Sequence, residues 1–293
     1  MSVWDLRPSV RSEVGRLTRA LVHEPGREFK TVVDPDAWGW EGLPRRERAA
    51  AEHAELVDAL ESRGVTVHSL GEARDGLAES LFVRDTAFAV GGGVTIGRMV
   101  EETRNGEERT VTERLVDLGV PIYHSVHGPG GFEAGNMVWI DDETVAVGRS
   151  NTTNAAGITQ VKGVLETYNV ELLEVPIFGS TRSTGQTHLA LVFSMVEPEL
   201  ALVYQKAVPD EFLAQLHDRG IETIEVPMRE QRNRVTSTLV VEPGEVILPA
   251  GSPVITDELR ARGLDVVEIS IREIQKTGGG LKGLVLPLAR KPR

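Results

Sequence analysis

The sequence predicts an α/β propeller of five ββαβ modules with pseudo-fivefold symmetry. Three observations carry this: a strand–turn–strand–helix–strand rhythm that recurs along the chain, an incomplete copy at each chain end, and no Pro/Ser-rich linker dividing the 293 residues. In chain order, the incomplete copy begins with LTRALVHE from Leu17, a helix near 45–63 and VTVHSL from Val65. Residues 81–98, LFVRDTAFAVGGGVTIGR, form a hairpin pattern turning at 91–93, followed by a polar helix near 107–118 and IYHSV from Ile122. FEAGNMVWIDDETVAVG (132–148) repeats the hairpin with a turn at 141–143, a helix at 154–168 and a strand at 170–175. HLALVFSMVEPELALVY turns at 197–199 and leads to a helix at 209–218 and IETIEV from Ile221. TSTLVVEPGEVILPA turns at 243–244 and precedes a helix near 254–262 and LDVVEI. The last strand, LVLPL from Leu284, completes the first sheet and closes the ring, with Pro287 suited to an edge position. Residues 1–293 therefore read as one propeller domain, against the alternative of two separate domains.

Composition narrows the function classes. Hydrophobic residues are 40% of the chain and charged residues 26%, enough to build a sizeable core. A net charge of −12 argues against binding to nucleic acid or to an anionic membrane. An acidic surface suits a cationic small molecule, although acidity also serves solubility. No apolar run reaches the roughly 18 residues of a membrane span, and the N-terminus lacks the apolar stretch of a signal peptide. With no sign of secretion, the sequon at 151–153 is taken as chance and the cytoplasm is the expected location. There is no cysteine, which removes disulfides, thiolate metal sites and a thiol nucleophile.

Neither a cofactor nor a metal is expected. GGGVTIG at 91–97 precedes a strand rather than a helix, so it is a hairpin turn and not a nucleotide fingerprint. The run 278–280 lacks the Lys-Ser/Thr and the helix of a phosphate loop, and instead allows a close approach of the backbone. His124 and His127 flank a glycine-rich loop without helical pairing.

Three polar residues stand where modules begin: Asp85 in LFVRDTA, Glu133 in GFEAGN and His188 in TGQTHLAL. The repeat places them in equivalent positions around the axis. Two carboxylates and an imidazole facing one another suit a planar cation, with acceptors for its N–H groups and an acid/base to move protons. Each has a plainer reading: Asp85 in a surface ion pair with Arg84, Glu133 as a solvated loop acid, and His188 as a satisfied core histidine.

FVRDTAFAV with IGRM, FEAGN with VAVGRSNTTNAAG, HLALVF followed by LALVY, and the ending KTGGGLKGLVLPLAR together resemble the guanidino-group-modifying family. That group comprises the arginine deiminases, dimethylarginine dimethylaminohydrolases and amidinotransferases. The resemblance runs in order from about Leu17 to Arg290. It implies the pentein fold, a five-bladed α/β propeller, and chemistry at a guanidinium carbon. It implies that Asp85 grips the guanidinium, that Glu133 orients a histidine or holds substrate, and that His188 is the general acid/base. Arg84, Asn136, Arg182 and Gly283 join Asp85 as the implied substrate-facing set. Arg182 could meet a substrate carboxylate or simply face solvent, and Trp40 and Arg234 are further candidates for contact.

Two positions depart from the family pattern. Ala190 stands where arginine deiminases and amidinotransferases carry an acid two residues after the histidine, which brings the site nearer the dimethylarginine type. Gly283 stands where the resemblance places the nucleophilic cysteine. Thr277 and Lys282 are weak substitutes, since a threonine needs strong activation and Lys282 should point opposite to Gly283 on a shared strand. Three readings stay open. The first is a hydrolase of a guanidine or amidine C–N bond that activates water directly. The second is a binding or regulatory protein that keeps the cage without the chemistry. The third is a family enzyme, such as an amidinotransferase, whose cysteine has been replaced. Assembly as a homo-oligomer is compatible with all three.

Overall fold

The computed structural model describes residues 8–71, 76–179 and 187–291. Its strands form five three-stranded sheets, each with the same internal order. β1 (Leu17–Val22) is the middle strand of the split sheet, between β2 (Thr66–Ser69) and β15 (Leu286–Arg290). The other sheets are β3 (Ala87–Val90), β4 (Gly93–Ile96) and β5 (Ile122–Ser125); then β6 (Met137–Trp139), β7 (Thr144–Arg149) and β8 (Glu171–Pro176). They continue with β9 (Phe193–Glu197), β10 (Leu200–Val203) and β11 (Glu222–Glu225), and end with β12 (Leu239–Glu242), β13 (Glu245–Pro249) and β14 (Asp265–Ile269).

Within a sheet the first two strands are antiparallel, as a tight hairpin requires, and the third runs parallel to the middle strand. A parallel neighbour needs a crossover. The helices α1 (Arg46–Glu61), α2 (Glu107–Asp117), α3 (Ala155–Glu166), α4 (Asp210–Asp218) and α6 (Pro253–Ala261) supply it, while α5 (Met228–Gln231) and α7 (Arg272–Gln275) are single turns. The hairpin at Gly91 and Gly92 has φ of 61° and 95°. A β-carbon at Gly91 would also stand 2.0 Å from the Tyr168 ring, so this turn admits only glycine.

Burial grades outward from the axis. β3 and β6 are buried on both faces, whereas β5 and β8 alternate or lie open to solvent. The C-terminal strand closes the ring as the sequence predicts: β15 pairs antiparallel with β1, Leu17 opposite Arg290 and Ala20 opposite Pro287. Pro287 lies on the edge strand, where its missing N–H breaks no ladder.

One local feature differs from the expectation. The inner strands begin later than the apolar runs suggest, because a single-turn 3₁₀ helix precedes them at Val83–Thr86, Ala134–Asn136, Leu189–Leu191 and Leu281–Leu284. Before β12 the chain makes a turn closed by Ser237 N–H on Arg234 C=O at 2.9 Å. These turns face successive residues in different directions, whereas a strand alternates them between two faces. That difference decides which side chains reach the site.

Candidate active site

Asp85 lies inside the first of these turns, and Glu133 and His188 are the residues that open the second and third. The turns bring the three together: one ligating atom from each lies within 4.8 Å of the others, and all three residues are buried. Glu133 Oε2 accepts from His188 Nε2 at 2.7 Å. The other ring nitrogen, Nδ1, is 3.1 Å from the Thr187 hydroxyl. Gly135, between Glu133 and Asn136, makes this approach possible. A β-carbon there would stand 2.3 Å from Asp85 Oδ1 and 3.0 Å from His188 Cδ2.

A fourth group, Arg104, sits among the acids. Its Nη1 donates to Asp85 Oδ2 at 2.9 Å and to Glu133 Oε2 at 3.2 Å. Its Nη2 donates to Glu107 Oε2 at 2.9 Å, and Nε lies 3.4 Å from Glu79 Oε2. The Trp40 indole donates to the other Glu79 oxygen at 2.6 Å. Burial opposes the charge on Glu107, Glu133 and His188, and the neighbouring charges offset it to different degrees. It drives Glu107 up to about 8 despite Arg104. It opposes ionisation of Glu133 as well, but Arg104 and His188 hold that carboxyl below its usual range. It disfavours the His188 imidazolium, yet Asp85 and Glu133 raise that group above its ordinary value.

A cavity of about 40 Å³ opens over this cluster, lined among others by Asp85, Arg104, Glu133, Thr187, His188 and Thr277. A second hollow of about 20 Å³, sharing Asp85 and His188 with it, is also bordered by Gly135, Gly280 and Gly283. A volume of about 10–15 Å³ accommodates one water. Gly283 thus borders space next to the imidazole.

The structure redirects two of the residues expected to face substrate. Asn136 is fully buried, and its side chain is used by the protein: Nδ2 donates to Ser150, Thr152 and Thr153, and Oδ1 accepts from Leu189 N–H at 3.0 Å. It ties the Glu133 turn to the residue after His188 and positions both. Arg84 borders the hollow, but its Nη2 is committed to Glu13 Oε1 at 2.7 Å on the opposite side of the turn. Lys282 takes the same direction, with Nζ 2.7 Å from Ser194 Oγ and 3.0 Å from Glu13 Oε2. Burial lowers its pKa to about 8 even with Glu13 beside it.

Among the remaining candidates, Trp40 meets the site only through Glu79, and Arg234 pairs with Glu41 at 2.7 Å. The Thr277 hydroxyl donates to Ile274 C=O. Arg182 lies outside the described residues. Among the described residues, Asp85, Glu133 and His188 form the one group spaced to share a metal ion, but Arg104 already donates to one oxygen of each carboxylate. His124 is 3.3 Å from Gln160, away from this cluster.

Sequence reasoning missed Arg104, Glu107, Glu79 and Thr187. A basic and an acidic residue three apart at a helix start, Arg104 and Glu107, were the available signal. Nothing local marks Glu79.

The family described as "N,N dimethylarginine dimethylhydrolase, eukaryotic" matches residues 37–290. The chain belongs to the dimethylarginine dimethylaminohydrolase family. It is 30% identical over 285 residues to the uncharacterized protein YkgA of Bacillus subtilis, covering 96% of this chain and 94% of that one. It is 25% identical to the arginine deiminase of Listeria monocytogenes over 256 residues, which is 74% of this chain and 62% of that enzyme. The dimethylarginine dimethylaminohydrolase of Pseudomonas aeruginosa, solved in complex with citrulline, superposes with a TM-score of 0.77 at 23% identity, covering 92% of this chain and 99% of that one. That likeness establishes the five-module pentein fold. Among the described residues no helix is long and apolar enough to cross a membrane.

Proposed function

We propose that the protein hydrolyses a C–N bond of a guanidino or amidine-type small molecule, with His188 moving the proton of an attacking water. The observation that carries this reading is His188 itself. It is held between the Glu133 carboxylate and the Thr187 hydroxyl, next to a water-sized hollow bordered by Gly283. The family's dimethylarginine hydrolysis and the citrulline bound by the Pseudomonas enzyme agree with a guanidino-type substrate.

In this mechanism Asp85 and Glu133 accept N–H bonds from the substrate guanidinium and hold its carbon over the hollow. Glu133 fixes the imidazole through Nε2, as the carboxylate of a catalytic triad does. Nδ1 is then the nitrogen through which a water's proton passes, by way of the Thr187 hydroxyl. The water oxygen adds to the guanidinium carbon as the proton moves to His188. The imidazolium returns that proton to a departing nitrogen, which leaves as ammonia or an amine, and loss of the second water proton leaves a ureido carbonyl. Resonance makes this carbon a poor electrophile, so positioning and proton transfer carry the rate.

The proton acceptor must be neutral, and its pKa is raised. Turnover should therefore increase as pH rises through a value above about 6.5. Product assays on arginine, methylarginines, agmatine and short guanidino acids test the reading. His188→Ala should abolish turnover while ligand affinity stays within about tenfold, because the loss falls on proton transfer. Turnover that survives His188→Ala overturns the mechanism.

One observation favours a second reading, binding without catalysis: the chain has no cysteine, and Gly283 stands where the family resemblance places the nucleophile. Gly283→Cys separates the two. A β-carbon there would meet the Phe82 ring edge at 3.1 Å, so a side chain fits with a small shift. A parent protein that binds without turnover, and a cysteine variant that behaves likewise, would support the binding reading.

A further inference from the structure

The pocket proposed to bind a guanidinium already contains one, supplied by the chain. We propose that Arg104 is an internal competitor for the guanidinium cage, and that ligand binding is an exchange in which the ligand takes Asp85 and Glu133 from Arg104. This inference rests on the guanidino-hydrolase reading of the same pocket.

The geometry divides Arg104 into two edges. Nε and Nη2 face Glu107, at 3.2 and 2.9 Å from its Oε2. Only Nη1 reaches into the cage, where it bridges Asp85 Oδ2 and Glu133 Oε2, the two groups assigned to substrate. A ligand guanidinium offers the same planar N–H donors, so the exchange replaces like with like at both carboxylates. Arg104 meanwhile keeps its bonds to Glu107, and the pair can move as a unit. Gly106 joins them with φ of 106° and no atom within 4 Å of where a β-carbon would stand.

Space argues for exchange over binding alongside. With Arg104 in place the cavity measures about 40 Å³. At about 10–15 Å³ per water, the room left beside Arg104 is that of a few waters. Charge argues the same way. Glu133 Oε2 serves both Arg104 and His188, so a second guanidinium cannot take that oxygen while Nη1 remains on it.

The test measures binding of methylguanidinium by calorimetry to the wild type and to Arg104→Lys. Lysine keeps a cation near Glu107 but lacks the planar group that bridges Asp85 and Glu133. If the cage is open a tenth of the time or less, freeing it should tighten binding by about tenfold or more. A second arm melts Arg104→Ala with millimolar guanidinium chloride against equal ammonium chloride. Guanidinium should raise its melting temperature well beyond ammonium, and should not do so in the wild type. Unchanged or weaker affinity in Arg104→Lys overturns the inference, as does equal stabilisation of Arg104→Ala by the two salts. Tighter binding without turnover in either protein would leave the exchange standing and remove the hydrolase reading.

Discussion

Replacing Glu133 by glutamine should disconnect His188 from its charge without emptying the site. Glu133 is completely buried, and its Oε2 accepts from both His188 Nε2 and Arg104 Nη1. Glutamine keeps the shape and one acceptor but cannot balance an imidazolium or a guanidinium. Each charge-assisted bond contributes about 1.5–3 kcal/mol, so the two together place the loss at about 3–6 kcal/mol. Against a typical total of about 5–15 kcal/mol the variant should still fold, with its melting temperature lower by about 10 °C. The imidazole should report a separate change. With Glu133 gone, burial and Arg104 both oppose the imidazolium and only Asp85 supports it, so the titration should fall from above the ordinary histidine value towards it or below. The sign follows for stability. A raised folded pKa contributes stability that is present below about 6.5 and lost as pH rises through the folded value, and Glu133→Gln should remove that contribution. Turnover should fall by about 10²–10⁴. Imidazole NMR across pH, thermal melts and product assays give the three readouts. A His188 titration that stays raised in the variant refutes the assignment of Glu133 as its partner.

Gly135→Ala should fold and lose most activity, because its β-carbon would collide with Asp85 Oδ1 at 2.3 Å and crowd the His188 ring; a circular dichroism spectrum together with a turnover assay checks this, and full activity would refute it. A distant histidine should govern acid stability. Burial, with His23 nearby, lowers His53 from 6.5 to about 4. The fold therefore excludes a proton that the unfolded chain binds, and stability should fall by about 3 kcal/mol as pH drops from 6.5 to 4. His53→Leu should flatten that part of the denaturation-versus-pH curve, and an unchanged slope would refute it.

The parts of the fold legible in the sequence were those with a local period. The paired apolar strands around Gly91 and Gly92, the turn at Gly244 and the edge position of Pro287 each follow from a local rule, and the structure contains all three. Convergence of Asp85, Glu133 and His188 was legible as well, because a repeated module puts its opening residues on one axis. The 3₁₀ turns were not legible, since a three-residue change in hydrogen bonding leaves no periodic signature. These turns send Arg84 and Asn136, which the family resemblance implies to be substrate-facing, to partners within the protein. Arg84 finds its partner at Glu13, 71 positions away, and no local pattern announces such a pair. Arg104 was hidden for a different reason: its cage is assembled from Glu79, Asp85, Glu107 and Glu133, which come from several elements.

Arg84 with Asp85 and Lys282 with Gly283 obey one geometric rule, and it bears on whether the site could ever have carried a nucleophile at 283. In both pairs the second residue borders the pocket, while the first sends its cation to Glu13 on the other side. Glu13 is held below the usual carboxylate range: burial opposes its charge, but Arg84, Lys282 and Arg290 prevail. The turn carrying Gly283 is therefore anchored from behind by Lys282, independently of what occupies position 283. A side chain introduced there would be presented to His188 by a scaffold already in place, with only the Phe82 ring to yield. A cysteine at 283 would thus be a change at one position that leaves this arrangement of charges in place. That is why Gly283→Cys tests chemistry here and does not test folding.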